Sequence, residues 1–128
     1  APVVLVCGPQ APDAAVARLN GAGVDVRRSA LADPTARLVE VLRQLADRGA
    51  TNVLIEGGQR VVGSLLDAEL IDEVFAFVAP KLIGGHEAPG PVGGRGRTRM
   101  ADALRLIGPV ATRFDDDLLI RGRIDRTS

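Results

Sequence analysis

Short apolar runs alternate with stretches of helical spacing along this chain, and that alternation constrains the fold more than any other feature. Residues 3–7, VVLVC, form a continuous apolar run closed by Gly8-Pro9, the pattern of a buried strand. Over 13–20, Ala14, Val16, Ala17 and Leu19 predict a short helix stopped by Gly21 and Gly23. Residues 24–27 predict a second, shorter strand. Asp33-Pro34 is a helix start, with Asp as N-cap and Pro at the first helical position. Leu38, Val41, Leu42 and Leu45 then repeat at helical spacing until Arg48-Gly49. Residues 52–55, NVLI, predict a third strand, Gly57-Gly58 a turn, and Val61, Val62, Leu65 and Leu66 one face of a third helix. Residues 73–80, EVFAFVAP, are apolar on both faces and predict a central strand. Residues 84–99 are rich in Gly, Pro and Arg without periodicity and predict a mobile loop. Two runs then flank Asp115-Asp116-Asp117. The second alternates Leu118, Ile120, Gly122 and Ile124 against Leu119, Arg121 and Arg123, which predicts an antiparallel hairpin with one wet face.

The resulting order, β-α-β-α-β-α-β followed by a hairpin, predicts an α/β fold. Its sheet is mostly parallel and flanked by helices, with a C-terminal antiparallel hairpin, in a single domain spanning 1–128. The start at Ala1-Pro2, directly before a strand, reads as a fragment boundary.

Composition removes several function classes. Lys plus Arg and Asp plus Glu number 16 each, so the basic excess of a nucleic-acid or membrane-surface protein is missing. Three Phe and no Trp or Tyr leave little for a base-stacking platform. Cys7 is the only cysteine and His86 the only histidine, so neither a disulfide framework nor a cysteine or multi-histidine metal site is expected. No apolar run reaches the roughly 18 residues of a membrane span, and no signal peptide is recognisable. A cytoplasmic protein without nucleic-acid or membrane partners is the expectation.

The stretch NVLIEGGQRVVGSLL concentrates the candidate chemistry. Glu56 stands where a strand gives way to a glycine turn, the end of an α/β sheet at which ligands sit. Glycines let a backbone pass close to a ligand, and N–H groups at the next helix start attract phosphate. Residues 58–64 read G-x-x-x-x-G-S, like a triphosphate loop without its lysine, and they lack the G-x-G-x-x-G spacing. Taken alone the motif is weak, and a tight turn without ligand is the competing reading. Glu56 can accept hydrogen bonds from sugar hydroxyls or a base edge but would repel a phosphate in contact. A sugar or heterocycle at Glu56, with phosphates over Gly58 and the helix start, satisfies both constraints.

NVLIEGGQRVVGSLLDAELIDEVFAFVAPKLIGG and, further on, MADALRLIGPVATRFDDDLLIRGRI closely resemble the C-terminal reductase domain of the bifunctional riboflavin biosynthesis deaminase-reductase family. The resemblance is strong over about residues 50–125. It implies a dihydrofolate-reductase-like fold, a homodimer, and NADPH-dependent reduction of 5-amino-6-(5-phosphoribosylamino)uracil, with hydride delivered to the ribose C1′ carbon. It places Glu56 on the family's catalytic, substrate-contacting carboxylate. It places Gly58, Gln59, Arg60, Val61, Val62, Gly63 and Ser64 on the NADPH-binding turn and helix start. Nothing in the chain corresponds to the family's K-x-A-x-S-x-D-G segment, to the following D-D-P, or to the zinc deaminase signature. The resemblance therefore implies a truncated reductase domain that does not turn over by itself.

The remaining chemistry-bearing residues have plainer readings. Cys7 ends a strand and reads as a small core residue, and His86 as solvated. Arg95, Arg97 and Arg99 read as an exposed loop, and Asp115-Asp116-Asp117 as a hairpin turn. Lys81 is left open between the site and a subunit neighbour. Two other functions stay open. One is a related dihydrofolate-reductase-like enzyme acting on another pterin or pyrimidine; the other is a non-catalytic nucleotide-binding or dimerisation module.

Overall fold

The computed structural model describes residues 2–88 and 90–126. The chain divides into two compact units, Ala1–Ile55 and Glu56–Ser128.

In the first unit, strand β1 (Val4–Cys7) is followed by helix α1 (Asp13–Gly21), strand β2 (Asp25–Arg28) and helix α2 (Pro34–Asp47). β1 and β2 pair in parallel, with Val4 opposite Asp25 and Cys7 opposite Arg28, so α1 is the crossover that parallel pairing requires. The helix ends follow local chemistry. Asp33 caps α2 by accepting the Ala36 N–H at 2.7 Å, and Pro34 occupies the first turn, where its missing donor costs nothing. Gly49, at φ 84°, takes the left-handed position that ends the helix.

The second unit holds helix α3 (Gln59–Asp67), strand β3 (Glu73–Val78), a short 3-10 turn at Met100–Asp102, and strands β4 (Leu106–Phe114) and β5 (Asp117–Ile124). β4 and β5 form the expected hairpin around the Asp triplet, and Asp115 takes a left-handed φ of 54° at its tip. β5 is the centre of the sheet, flanked by β3 and β4, both antiparallel to it. The mixed α/β class is as expected, with parallel pairing in one sheet and antiparallel pairing in the other.

Three local expectations need correction. Residues 52–55 carry no ladder and are exposed, Leu54 at 73%. Their apolar character signals a strand, but a strand exists only with a hydrogen-bonding neighbour, and none is paired to it among the described residues. β3 is an edge strand rather than a central one: among the described residues it pairs with β5 alone, and Phe75 and Phe77 are exposed. The loop 84–99 is not free along its length, because part of it is bonded to α3, as detailed below.

Candidate active site

The Glu-Gly-Gly turn opens the second unit. Gly57 and Gly58 both have left-handed backbones, φ 65° and 78°, which L side chains adopt only under strain. A Cβ on Gly57 would meet nothing within 4 Å, so the glycine serves the turn and an open approach, not packing. Glu56 is exposed beside it, and its carboxylate has no hydrogen-bond or ion-pair partner among the described residues.

Gly58 is the N-cap of α3, and no side chain caps the helix there. Its carbonyl accepts the N–H groups of Val61 and Val62, at 2.9 and 3.1 Å. The N–H groups of Gln59 and Arg60 lie in the first turn, where no intrahelical acceptor exists. The first turn carries no acidic residue to oppose an anion, and the Arg60 side chain is exposed there. Uncapped donors, the positive end of the helix dipole and a guanidinium together suit a phosphate group.

The rest of the expected cofactor segment behaves differently. Val61 is exposed and Val62 and Ser64 are half-buried, while Gly63 is buried. A Cβ on Gly63 would overlap the Gly93 carbonyl group and the Gly94 nitrogen, so the bare face of this glycine is taken by the chain's own loop. The Gly93 N–H donates to the Gln59 carbonyl at 2.9 Å, and the Arg95 N–H donates to Asp67 Oδ2 at 2.7 Å. Arg97 lies 4.0 Å from Glu69, and Arg99 forms a two-point ion pair with Asp102 at 2.8 Å. The arginines of this loop are thus paired within their own unit, Arg95 reaching Asp67 at 3.8 Å.

The structure also adds residues that sequence reading passed over. At the carboxyl ends of β1 and β2, Arg37 of α2 donates to the Leu31 and Ala32 carbonyls, both at 2.7 Å, and its guanidinium lies against Gly8. Ser29, buried, donates to Glu40 at 2.6 Å and accepts the Leu31 N–H. The signal was present, a glycine directly after one strand and a serine directly after the next, but Arg37 reaches Gly8 only through the fold. A broad groove runs along α2, lined by Leu31, Ala36, Val39, Glu40, Arg43 and Gln44. Among the residues with plain readings, Cys7 is half-buried with its thiol near the Arg27 carbonyl, and His86 and Lys81 are exposed. No cluster of potential metal ligands occurs among the described residues.

Comparison with known families decides the kinship, since the RibD C-terminal domain matches residues 1–119. The chain belongs to that family. A relative of the RibD C-terminal domain in Zea mays, the chloroplastic riboflavin biosynthesis protein PYRR, is 39% identical over 103 residues, 80% of this chain and 16% of its own length. The 2,5-diamino-6-ribosylamino-4(3H)-pyrimidinone 5′-phosphate reductase of Methanothermobacter thermautotrophicus is 32% identical over 123 residues, 94% of this chain and 54% of its own. Acinetobacter baumannii RibD superposes with a TM-score of 0.70 at 25% identity, over 96% of this chain and 31% of that one. A pyrimidine reductase-like protein of Corynebacterium diphtheriae shares the fold, with a TM-score of 0.74 at 22% identity over 96% of this chain and 50% of that one. This RibD C-terminal domain chain therefore spans about half or less of the length of these relatives, and its fold is the dihydrofolate-reductase-like one of RibD structures.

Proposed function

We propose that the chain is the reductase domain of a riboflavin biosynthesis enzyme, which reduces 5-amino-6-(5-phosphoribosylamino)uracil with NADPH to its ribitylamino form. Membership of the RibD C-terminal domain family over residues 1–119 carries the reading. The name of the archaeal relative, a reductase of a ribosylaminopyrimidinone phosphate, supports the substrate class. All 128 residues are taken to work as one reductase domain.

When bound, the cofactor supplies a hydride. Gly58, Gln59 and Arg60 would hold its phosphates through the first-turn N–H groups and the Arg60 guanidinium, and Val61 and Val62 follow in the same turn. Gly63 contributes from beneath, by admitting residues 93–94 against the helix, and Ser64 by its place in the helix. Glu56 accepts hydrogen bonds from the ribose hydroxyls or the pyrimidine N–H and so orients the substrate. Its charge keeps phosphate away from its own position and over Gly58.

A homodimer in the cytoplasm, with no nucleic-acid or membrane partner, belongs to the same reading. No helix among the described residues is long and apolar enough to cross a membrane. The β3-β5-β4 sheet carries all three Phe of the chain on one face, and Phe77 and Phe114 are about three-fifths exposed. Such a face favours burial against a second copy.

A second substrate reading has its own support. The archaeal relative matches more of this chain than the plant protein does, and the pyrimidine in its name keeps a 2-amino group. Steady-state reduction of both pyrimidines by the full-length protein, with the ribitylamino product identified by mass, tests the two together. Turnover of the uracil compound at higher kcat/KM upholds the first reading; preference for the diaminopyrimidinone replaces it with the second. NADPH oxidation with neither rejects both.

A further inference from the structure

Three contacts fasten residues 93–95 along α3. The Gly93 N–H donates to the Gln59 carbonyl, the Arg95 N–H donates to Asp67, and Gly63 leaves room for the Gly93 and Gly94 backbone. Gly94 completes the path with a left-handed φ of 87°, passing so close to Asp67 and Gly63 that a side chain would clash.

The first contact matters most for chemistry. The Gln59 carbonyl and the Arg60 N–H belong to one peptide unit. A hydrogen bond accepted at the carbonyl end polarises that unit and strengthens its N–H as a donor. It also fixes the peptide plane, and with it the direction in which the Arg60 N–H points. That N–H is one of the first-turn donors with no acceptor inside the helix.

The position of Asp67 points the same way. It is the last residue of α3, where the helix dipole disfavours a carboxylate, and its side chain is only 15% exposed. What offsets this is the loop itself: the Arg95 N–H at 2.7 Å and the Arg95 guanidinium at 3.8 Å, both on Oδ2. Asp67 therefore anchors one end of the segment while Gln59 receives the other.

We infer that residues 93–95 are a strap that presets the Gln59–Arg60 peptide for a phosphate oxygen of a dinucleotide, with Asp67 as the positioning residue that fastens it. The inference rests on the reading of the glycine turn as the cofactor site.

The test uses the full-length protein and the variants Gly63→Ala, Asp67→Ala and Asp67→Asn. Amide exchange at Gly93 and Arg95, the Arg60 amide proton shift and the NADPH Kd are measured in each. Gly63→Ala and Asp67→Ala should speed exchange at Gly93 and Arg95 and move the Arg60 proton upfield. They should weaken NADPH by about tenfold, the size of one charge-assisted hydrogen bond. Asp67→Asn keeps an oxygen acceptor and should restore the Kd to within about threefold of the wild type. Faster exchange with an unchanged NADPH Kd would reduce the strap to a structural tether and overturn the inference. So would unchanged exchange in both Gly63→Ala and Asp67→Ala. A wild-type protein that binds no NADPH would overturn the cofactor reading itself, a failure visible before any variant is made.

Discussion

Gly122 of β5 lies so close to Leu106 of β4 that a Cβ on the glycine would come within 2.9 Å of the leucine Cβ. Gly122 is also buried, so an added methyl has no free direction. Gly122→Ala should destabilise the protein by about 1–3 kcal/mol, the usual cost of overpacking, despite the better strand propensity of alanine. Urea unfolding measures it. If the contact is the cause, Leu106→Gly and Gly122→Ala combined should cost clearly less than their sum, because removing the leucine Cβ makes room for the new one.

Asp33 gives a cleaner local test. Its side chain satisfies the Ala36 N–H at the start of α2, so Asp33→Ala should cost about 1 kcal/mol and Asp33→Ser much less. Equal losses from both, read by thermal unfolding, would mean that the cap contributes through something other than its oxygen.

These two positions show what was legible in the sequence. The Asp33-Pro34 start and the Arg48-Gly49 stop are local chemistry, and the structure has α2 over Pro34–Asp47. The hairpin around the Asp triplet is equally local. Pairing across distance was not legible. Residues 52–55 have the composition of a strand but no ladder among the described residues, and β3 finds its partner in β5, whose paired residues lie 40 to 50 positions later. Gly63 makes the same point for the site. A glycine inside a helix announces close approach without naming what approaches, and here the Gly93-Gly94 backbone does. Residues 84–99 looked unconstrained because their anchors, Gln59 and Asp67, are distant in sequence.

The Arg99–Asp102 pair sets a pH dependence of known sign. Hydrogen bonds from the Arg99 guanidinium hold the Asp102 carboxyl below the ordinary aspartate value of 3.8, with Arg97 adding a smaller attraction. A depressed folded value means that the pair's contribution is present above the unfolded value. It is lost as pH falls through the folded one. The pair is exposed, so its effect on stability should be slight and should fade with salt. A carbon-detected NMR titration should find Asp102 below 3.8, and Arg99→Gln should raise it. An Asp102 that titrates identically in both proteins would remove the pair from the account.

The aromatic face of the second sheet should drive self-association. Phe77 and Phe114 meet edge to face at 6.2 Å, and Arg121 lies 5.0 Å above the Phe75 ring. Phe77→Glu should shift the protein toward monomer in sedimentation velocity. A wild-type monomer at high concentration would count against the homodimer.

The central claim is that substrate meets Glu56 while the cofactor meets the turn beside it. Kinetic and binding measurements on Glu56→Gln in the full-length protein test this directly. Hydrogen bonds to an ionised acceptor contribute about 1.5–3 kcal/mol, so kcat/KM should fall about ten- to a hundredfold while the NADPH Kd barely moves. Gly58→Val, forced onto a backbone at φ 78°, should weaken NADPH first. Loss of NADPH affinity in Glu56→Gln as large as in Gly58→Val would contradict the account and leave Glu56 only a shaper of the turn.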